Sequence, residues 1–554
     1  MKDKQTLKWL YRHSRARLFS IFLLSVLRCT LTILGVIFAL TSRHVIDAAV
    51  SKDFDGFLFA AAKLVVIILM QVGIRLFGQS IEAHVGARLN NSLRGKVFSK
   101  LLGKDYSAVA SYHTGDLMTR LNNDIAVISK GVLTLIPSVL ALVAGLCYAL
   151  YSLTILDRGF AFIFLFGGII LLLVIGAFRK VLKRTHKRIQ ETEAKVRSFF
   201  QETLGSLLMI KVFGIENKIA EKGDVLQEEN YRAQMKRRNI TLVSSSGLSV
   251  IFSAGSLYAL VWSAYRLFLG TISFGTLTAI IQLVNQVQAP FAGLSGVVPQ
   301  YYSILASAER VIELDNLPDE KENGEVLDAR ESYESLQRLC FENISFGYGK
   351  TSVFEDASLS IDKGEFAVIG GISGIGKSTL IKLLLGVYAP TQGRIYLDLG
   401  EERVVAGKRT RPLFSYVPQG NLLLSGTIRD AISMVRSDAS DDEIMRAAEV
   451  ACAAEFIRQL PDGLDTFLGE KGAGLSEGQI QRLAVSRAIL SDAPIILLDE
   501  ATSALDEETE ERLLKNIKNL KSKTCLIISH KRAAFEICNK HIYIEDKKIR
   551  TETL

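Results

Sequence analysis

The 554 residues are 49% hydrophobic, with a mean hydropathy of +0.24 and a formal net charge of +8. Such an average excludes an ordinary soluble enzyme, and the length exceeds one domain of roughly 100–200 residues. The charge is divided: residues 1–310 hold 36 Lys+Arg against 18 Asp+Glu, leaving 30 against 40 of the totals 66 and 58. The basic excess therefore flanks apolar runs, as cytoplasmic membrane flanks do, and nucleic acid is not expected as a partner.

From the N-terminus, the basic stretch Lys2 to Arg17 precedes an apolar run, Leu18 to Leu40, interrupted by Arg28. A run near the ~20 residues that cross a bilayer, with no small-residue cleavage pattern after it, predicts an uncleaved first span rather than a signal peptide. Only about 17 residues precede it, too few for an N-terminal protease domain. Six spans are predicted, at about 18–41, 57–80, 132–155, 159–178, 246–268 and 274–298. Lipid offers no partner for free backbone groups, so each span is expected to be helical.

Connections alternate in length. Asp157 and Arg158 alone separate spans three and four, and Gly270 to Ser273 separate spans five and six. The segments at about 81–131 and 179–243 are long, and carry seven basic residues from Arg88 to Lys130 and fifteen from Arg179 to Arg238. With six more in the N-terminal tail, both long connections and both termini are expected in the cytoplasm. Neither connection contains proline, and Val196, Phe199, Phe200, Thr203 and Leu204 have helical spacing. Some 25 residues out and 25 back, at ~1.5 Å each, would carry the helices about 35–40 Å beyond the bilayer.

Ionisable residues inside spans are functional suspects, because a charge in hydrocarbon is costly. Arg28, Lys63, Arg75 and Arg266 qualify, with Gln71, Gln282, Asn285, Gln286 and Gln288. Lys63 and Arg266 lie near span ends and read as snorkelling. Arg28 and Arg75 stand either for snorkelling or for a polar, basic cavity suited to an amphipathic or anionic cargo.

Residues 311–337, including Pro318 to Asn323, read as an acidic linker between a membrane region, 1–310, and a soluble region, 338–554. The six cysteines (Cys29, Cys147, Cys340, Cys452, Cys525 and Cys538) form no C-x-x-C pair, which argues against a disulfide framework or a zinc site. Strands are expected over Leu339–Phe346 and Ala357–Ile361. A further strand, from Phe366, runs into Gly371-Ile-Ser-Gly-Ile-Gly-Lys-Ser-Thr379, which fits G-x-x-x-x-G-K-[ST]. In such a loop Gly371, Ser373, Gly374 and Gly376 bring backbone N–H groups around phosphate oxygens, Lys377 supplies a cation, Ser378 a Mg²⁺ ligand, and a helix through Thr379 points its positive end at the anion. Ile495-Ile-Leu-Leu-Asp-Glu500 reads as a buried strand ending in Asp499, a candidate for Mg²⁺, and Glu500, a candidate general base.

Leu475-Ser-Glu-Gly-Gln479 followed by a helical segment resembles the signature of ABC ATPases, L-S-G-G-Q. That resemblance implies nucleotide contacts at Ser476, Gly478 and Gln479. It also implies an adenine-stacking Tyr348, and a Gln419 in Tyr-Val-Pro-Gln that senses Mg²⁺ and contacts the membrane half. Asp506 in Ser-Ala-Leu-Asp and His530 in Ile-Ser-His complete the implied nucleotide contacts, and Leu468-Gly-Glu470 resembles the loop that meets the cytoplasmic helices in exporters. Gly115-Asp-Leu-Met-Thr-Arg120 with Asn123-Asp124, Gln201-Glu-Thr-Leu204, Ile210–Glu216 and Ser425-Gly-Thr-Ile-Arg429 are similar to exporter-type segments, so the likeness spans nearly the whole chain.

The fold class implied is a six-helix, all-α transmembrane domain with long cytoplasmic extensions, followed by an α/β P-loop ATPase. The function implied is ATP-driven export of an amphipathic substrate (lipid, peptide or drug-like) by alternating access, with ATP and Mg²⁺ as cofactors. Each nucleotide would lie between the phosphate loop of one half and the signature of a second. Homodimer is the expectation and heterodimer the alternative, in a bacterial inner or plasma membrane. An exporter-fold importer, for example of a metal chelate, is the other functional alternative. A soluble, non-transport ABC ATPase is disfavoured by the six spans. Two departures from the family pattern stand out. Glu477 occupies a position where the usual form has glycine, and is expected to point outward. The segment Asp398 to Arg411 is basic and lacks the common pattern.

Overall fold

The structure is a computed structural model that describes residues 2–156, 159, 184–185, 188–320, 324–349, 351–420, 423–469, 472, 474–520 and 523–553. It divides into two compact units. One comprises residues 1–101 and 114–316; the other comprises 102–113 and 317–554.

The first unit is helical. Its long helices are α1 (Lys2–Ser14), α2 (Leu18–Ser51), α3 (Phe54–Leu102), α4 (Ile125–Leu156), α5 (Glu216–Phe268) and α6 (Phe274–Asp315). Helices α2, α4 and α6 pack together, and α5 lies against α6. Val36, Ala39, Ala149, Leu153, Ile280, Leu283, Val284 and Val287 form the buried centre of that packing. Outside it the helices are apolar and bare: Leu69 and Leu76 on α3 are 65% and 61% exposed, and Phe268 on α5 is 87% exposed. Water does not tolerate such faces over this area, so lipid or another chain covers them.

Among the described residues four helices are long and apolar enough to cross a membrane: Lys4–Ser51, Phe54–Leu102, Thr114–Leu156 and Glu216–Phe268. They contain four of the six expected spans. The span expected at 159–178 lies outside the described residues, apart from residue 159. The span expected at 274–298 falls in α6, which is long, but Gln282, Asn285, Gln286 and Gln288 dilute its apolar character. Gln288 is accommodated by donating to the Phe252 carbonyl at 3.0 Å.

The long connections are helical. Helix α3 has 49 residues, about 74 Å at 1.5 Å per residue, more than twice the hydrocarbon thickness. In the second connection residues 188–205 are helical. A turn at Gly214, in the left-handed region, leads into α5. Arg188 pairs with Glu229 at 2.9 Å and Thr192 donates to Asn230 at 3.1 Å, so chain outbound and chain returning lie side by side. The exporter-like segment 115–124 is held by charge. Arg120 bonds Asp116 at 3.0 Å and Glu313 at 2.9 Å, while buried Asp124 accepts from Ser307 at 2.9 Å and from Arg310. Helix α6 carries unbroken past residue 310 to Asp315, and the stretch 311–337 also contains a helix, Ala329–Ser335, capped by Asp328.

The second unit holds an antiparallel sheet and a mainly parallel one. Strands β1 (Arg338–Tyr348), β2 (Thr351–Asp362), β4 (Gln392–Asp398) and β5 (Arg403–Val405) form the first, in the order β2-β1-β4-β5. The second contains β3 (Phe366–Gly370), β6 (Phe414–Val417), β9 (Ile495–Asp499), β10 (Thr524–Ile528), β11 (Lys540–Glu545) and β12 (Lys548–Thr553), in the order β12-β11-β3-β10-β9-β6, while β7 (Gly426–Thr427) and β8 (Phe467–Leu468) pair as a short antiparallel ribbon. Both β1 and β2 run longer than the apolar runs that announced them, because their polar outer residues still pair across the sheet. β3, β9 and β10 are buried at every position, as parallel strands covered on both faces must be.

Candidate active site

Register brings three distant motifs together. Ile528 at the end of β10 lies level with Ile369 of β3 on one side and Asp499 of β9 on the other. The loops that follow these strands therefore leave from one edge of the sheet. They are the phosphate loop after Gly370, Glu500 after Asp499, and Ser529-His530 after Ile528. β6 adds a fourth, since Val417 pairs with Leu498 and Gln419 follows two residues later. In open α/β sheets this carboxyl edge is where ligands bind.

Side chains then converge. Lys377, 5% exposed, donates to the carbonyls of Gly371 at 2.8 Å and Ile372 at 3.1 Å, and its Nζ is 3.0 Å from Nε2 of His530. Burial pulls the Lys377 ammonium below the usual lysine range, against the opposing pull of Glu500 and Asp499. Ser378 donates to Oδ1 of Asp499 at 2.9 Å, and the Tyr416 hydroxyl donates to Oδ2 at 3.1 Å. Burial raises the Asp499 carboxyl above its ordinary value despite those two donors, and burial beside Asp499 raises the Tyr416 phenol. Glu500 leaves its strand in the left-handed region, φ +51°, a sparsely populated conformation for a residue with a Cβ. Its Oε2 accepts from Gln419 at 2.6 Å, and its Oε1 is 3.5 Å from His530 Nε2.

The loop itself ends at Gly376, the N-cap of helix Lys377–Leu384, with φ +114°. A Cβ there would lie 2.4 Å from Val353, so only glycine closes the turn. Gly371 and Gly374 also have positive φ, and Ser373 is exposed at the tip. Thr379, buried in the helix, lies 3.3 Å from the hydroxyl of Tyr348. Tyr348 is 43% exposed and meets Phe346 and Tyr388 edge to face, at centroid distances of 5.1 and 5.4 Å.

The signature residues start the helix Glu477–Leu490. Ser476 is its N-cap, and its Oγ accepts from the Gln479 backbone at 3.3 Å while Gln479 Oε1 accepts from the Ser476 backbone at 2.9 Å. Gly478 lies so near the Ala504 carbonyl that a Cβ would approach it to 2.9 Å. Glu477, in the first turn of that helix, is exposed. Asp506 caps the helix Glu507–Lys518, accepting from Thr509 N–H at 2.9 Å, and this bond lowers its carboxyl. Leu468 is buried, and Glu470 lies outside the described residues.

Three supporting side chains were not among the residues expected from the sequence: Tyr416 on Asp499, Tyr388 on Tyr348, and Gln481. The last donates to Ser503 Oγ at 2.9 Å and accepts from Ala504 N–H at 3.0 Å. Tyr416 was within reach of the sequence, as the aromatic of Tyr-Val-Pro-Gln.

The residues fit a magnesium–nucleotide. Ser378, Asp499 and Gln419 offer oxygen donors, the class Mg²⁺ takes, beside a loop of open backbone N–H groups. Among the described residues no group of three or more His, Cys, Asp or Glu side chains is arranged for a metal.

The fold and this edge define an ATP-binding, ATP-hydrolysing domain joined to a helical membrane region. Family matches agree: residues 18–291 match the ABC transporter transmembrane region, and residues 354–503 match the ABC transporter family. The chain belongs to the ABC transporter family. It is 30% identical over 510 residues to a probable ABC transporter ATP-binding/permease protein of Haemophilus influenzae, covering 90% of this chain and 89% of that one. It is 28% identical to an ATP-dependent lipid A-core flippase of Desulfotalea psychrophila, covering 100% and 96%. The same named flippase of Legionella pneumophila, strain Paris, is 30% identical over 87% and 82%. The fold matches that of a bacterial Atm1-family ABC exporter with ATP bound, with a TM-score of 0.81 at 23% identity over 98% and 95% of the chains. The protein is a membrane transporter of exporter fold, and its activity is ATP hydrolysis coupled to transport.

Proposed function

We propose that the chain works as a homodimer that exports an anionic amphiphile, with cytoplasmic termini and ATPase domain, in a bacterial inner membrane. Dimerisation follows from the division of labour along one chain. Lys377, Gln419, Asp499, Glu500 and His530 form one half-site, and Ser476, Gly478 and Gln479 start a separate helix. Two copies supply two full sets. ATP binds with Tyr348 against adenine and the backbone of 371–376 around the phosphates. Ser378, Asp499 and Gln419 would hold Mg²⁺, which supplies charge neutralisation on the phosphates. Glu500 takes the proton of the attacking water, Gln419 orients Glu500, and His530 with Lys377 stabilises charge on the terminal phosphate. Gly478 and Asp506 keep the signature and the 503–506 loop in register for the partner's nucleotide. Binding of ATP drives closure because ATP has more partners in the closed pair than in the open one.

The cargo class rests on one observation. A cavity of about 890 Å³ lies among α2, α3 and α4, walled by Leu24, Leu27, Leu31, Ile74 and Leu133 and bearing Arg28, Arg75, Lys130 and Glu82. Arg28 is engaged by Glu82 at 2.8 Å and by Ser138 at 2.5 Å. Arg75 and Lys130 have no ion pair among the described residues. An apolar wall with cations left over suits acyl chains below an acidic headgroup. The flippase names of the relatives support the same class. The test is ATPase stimulation in proteoliposomes by an acidic lipid against a zwitterionic one of equal chain length. Stimulation by the acidic lipid, reduced several-fold in Arg75→Gln/Lys130→Gln, supports the reading. Equal stimulation by both lipids defeats it. Accumulation in inside-out vesicles fixes the direction.

A further inference from the structure

The C-terminal part of the basic segment Asp398 to Arg411, residues 408–411, has a definite place. It forms a 3-10 turn, Lys408–Leu413, against the C-terminal end of the phosphate-loop helix. The Arg411 guanidinium donates from Nε to the Leu385 carbonyl at 3.0 Å and from Nη2 to the Gly386 carbonyl at 3.3 Å. Both carbonyls lie just beyond the last turn of Lys377–Leu384, beside the negative end of its dipole. The same Nη2 reaches Glu320 Oε1 at 2.5 Å. Glu320 belongs to the linker, and its backbone N–H donates to the Gly103 carbonyl at 3.1 Å.

Around Gly103 the linker is fastened further. Asp105 N–H donates to the Pro318 carbonyl at 2.9 Å, and Lys104 and Asp319 form an antiparallel bridge. The Lys104 ammonium, its side chain 5% exposed, bonds the Leu317 carbonyl at 2.6 Å and Asp319 at 2.7 Å. Asp105 in turn caps the short helix Tyr106–Ala110. A continuous path therefore runs from Lys377, at the phosphate end of its helix, through Arg411 and Glu320 to the turn 103–105 and its helix.

We infer that Arg411 is a positioning residue that makes the phosphate-loop helix and the first cytoplasmic turn respond to nucleotide together. Its guanidinium touches both the helix end and the linker acid. A fork geometry allows that double contact, and an ammonium does not reproduce it. The inference rests on nucleotide binding at the phosphate loop and not on the identity or direction of the cargo.

The test is hydrogen exchange on the full chain in nanodiscs, with and without the non-hydrolysable analogue AMP-PNP and Mg²⁺. In the unmodified protein the analogue is expected to slow exchange in both 377–384 and 102–113. In Arg411→Met, protection of 377–384 by nucleotide persists while that of 102–113 drops about tenfold, the scale of one charged hydrogen bond. Arg411→Lys falls between. Glu320→Gln, which leaves the helix end capped by Arg411, reproduces the selective loss at 102–113. Unchanged protection of 102–113 in both variants overturns the inference, as does equal loss in the two segments. An unmodified protein that protects 377–384 but never 102–113 also overturns it. Absent protection of 377–384 would instead point to a failure of nucleotide binding itself.

Discussion

Gln419 donates a 2.6 Å hydrogen bond to the carboxyl of Glu500, and Glu500 lies 3.5 Å from His530. The three come from loops after different strands, and each constrains the others. Replacing Glu500 by Gln keeps the size and removes the proposed base. The expected outcome is a loss of ATP turnover of about 10²–10⁴-fold, the usual worth of a positioned general base, with ATP binding retained. Measured turnover within a few-fold of the unmodified protein would refute the assignment. Gln419→Ala should give a smaller loss, because the base survives unoriented.

Lys377 donates to two loop carbonyls and sits 3.0 Å from His530, which fixes its ammonium at the phosphate loop. Lys377→Met is expected to weaken ATP binding by at least about tenfold, by loss of a charge-assisted contact. His530→Ala should instead spare binding and reduce turnover. Isothermal titration with ATP and a phosphate-release assay separate the two; equal effects of both variants on affinity would contradict the division.

Asp499 is 1% exposed, and burial keeps its carboxyl above the ordinary aspartate range. Between the ordinary and the raised value the folded state binds more protons than the unfolded one. Stability of the nucleotide-free protein therefore falls as pH rises through that window, and the penalty is complete above it. Asp499→Asn removes the penalty. It is expected to raise the nucleotide-free Tm at pH 7, with the gain shrinking toward pH 4, while hydrolysis is lost. A thermal scan across pH decides this, and a Tm lowered equally at all pH values would show that the Ser378 and Tyr416 contacts outweigh burial.

The local parts of this site could be read in the sequence because each is a short segment with its own chemistry. Glycines at 371, 374 and 376 before Lys377 announce a phosphate loop, and four apolar residues before Asp499 announce a buried strand. What could not be read is what the sheet register does, since Ile369, Asp499 and Ile528 are far apart in the chain. The bond between Arg411 and Glu320 hid for the same reason, and left 398–411 as an unexplained basic stretch. Asp506 carried two meanings. The resemblance gave it to nucleotide, while in the structure its carboxyl caps Glu507–Lys518. In the membrane region the helix at 274–298 was legible despite its amides, because Ile280, Leu283 and Val284 keep an apolar inner face.

Gly478 and Glu477 are neighbours with opposite tolerance. A Cβ on Gly478 would approach the backbone oxygen of Ala504 to 2.9 Å, and backbone cannot swing aside as a side chain can. Gly478→Ala is expected to displace the 503–506 loop and lower turnover by about tenfold or more, comparable to the 1–3 kcal/mol of other overpacked sites. Glu477 is exposed at the first turn of its helix, where a carboxylate gains about 0.3–1 kcal/mol from the dipole. Glu477→Gly should therefore lower Tm slightly and leave the KM for ATP within about twofold. A large fall in KM would mean that the carboxylate faces the nucleotide.

Lys531 follows His530 and fastens the loop after Glu500. Its ammonium donates to the carbonyls of Thr502 at 2.9 Å and Leu505 at 2.6 Å, and lies 3.2 Å from Glu510 Oε2. Glu510 is wholly buried and accepts from Thr502 Oγ1 at 2.7 Å. Lys531→Met would leave that carboxyl without its cation and the loop without its staple. The expected cost is about 1–3 kcal/mol of stability, with reduced turnover. Pairing it with Glu510→Gln separates the two effects: removing the buried acid should recover much of the lost Tm, because no uncompensated charge remains. Turnover should stay low, because the Thr502 and Leu505 carbonyls are still unheld. Full recovery of turnover in the double variant would show that Lys531 acts only by neutralising Glu510.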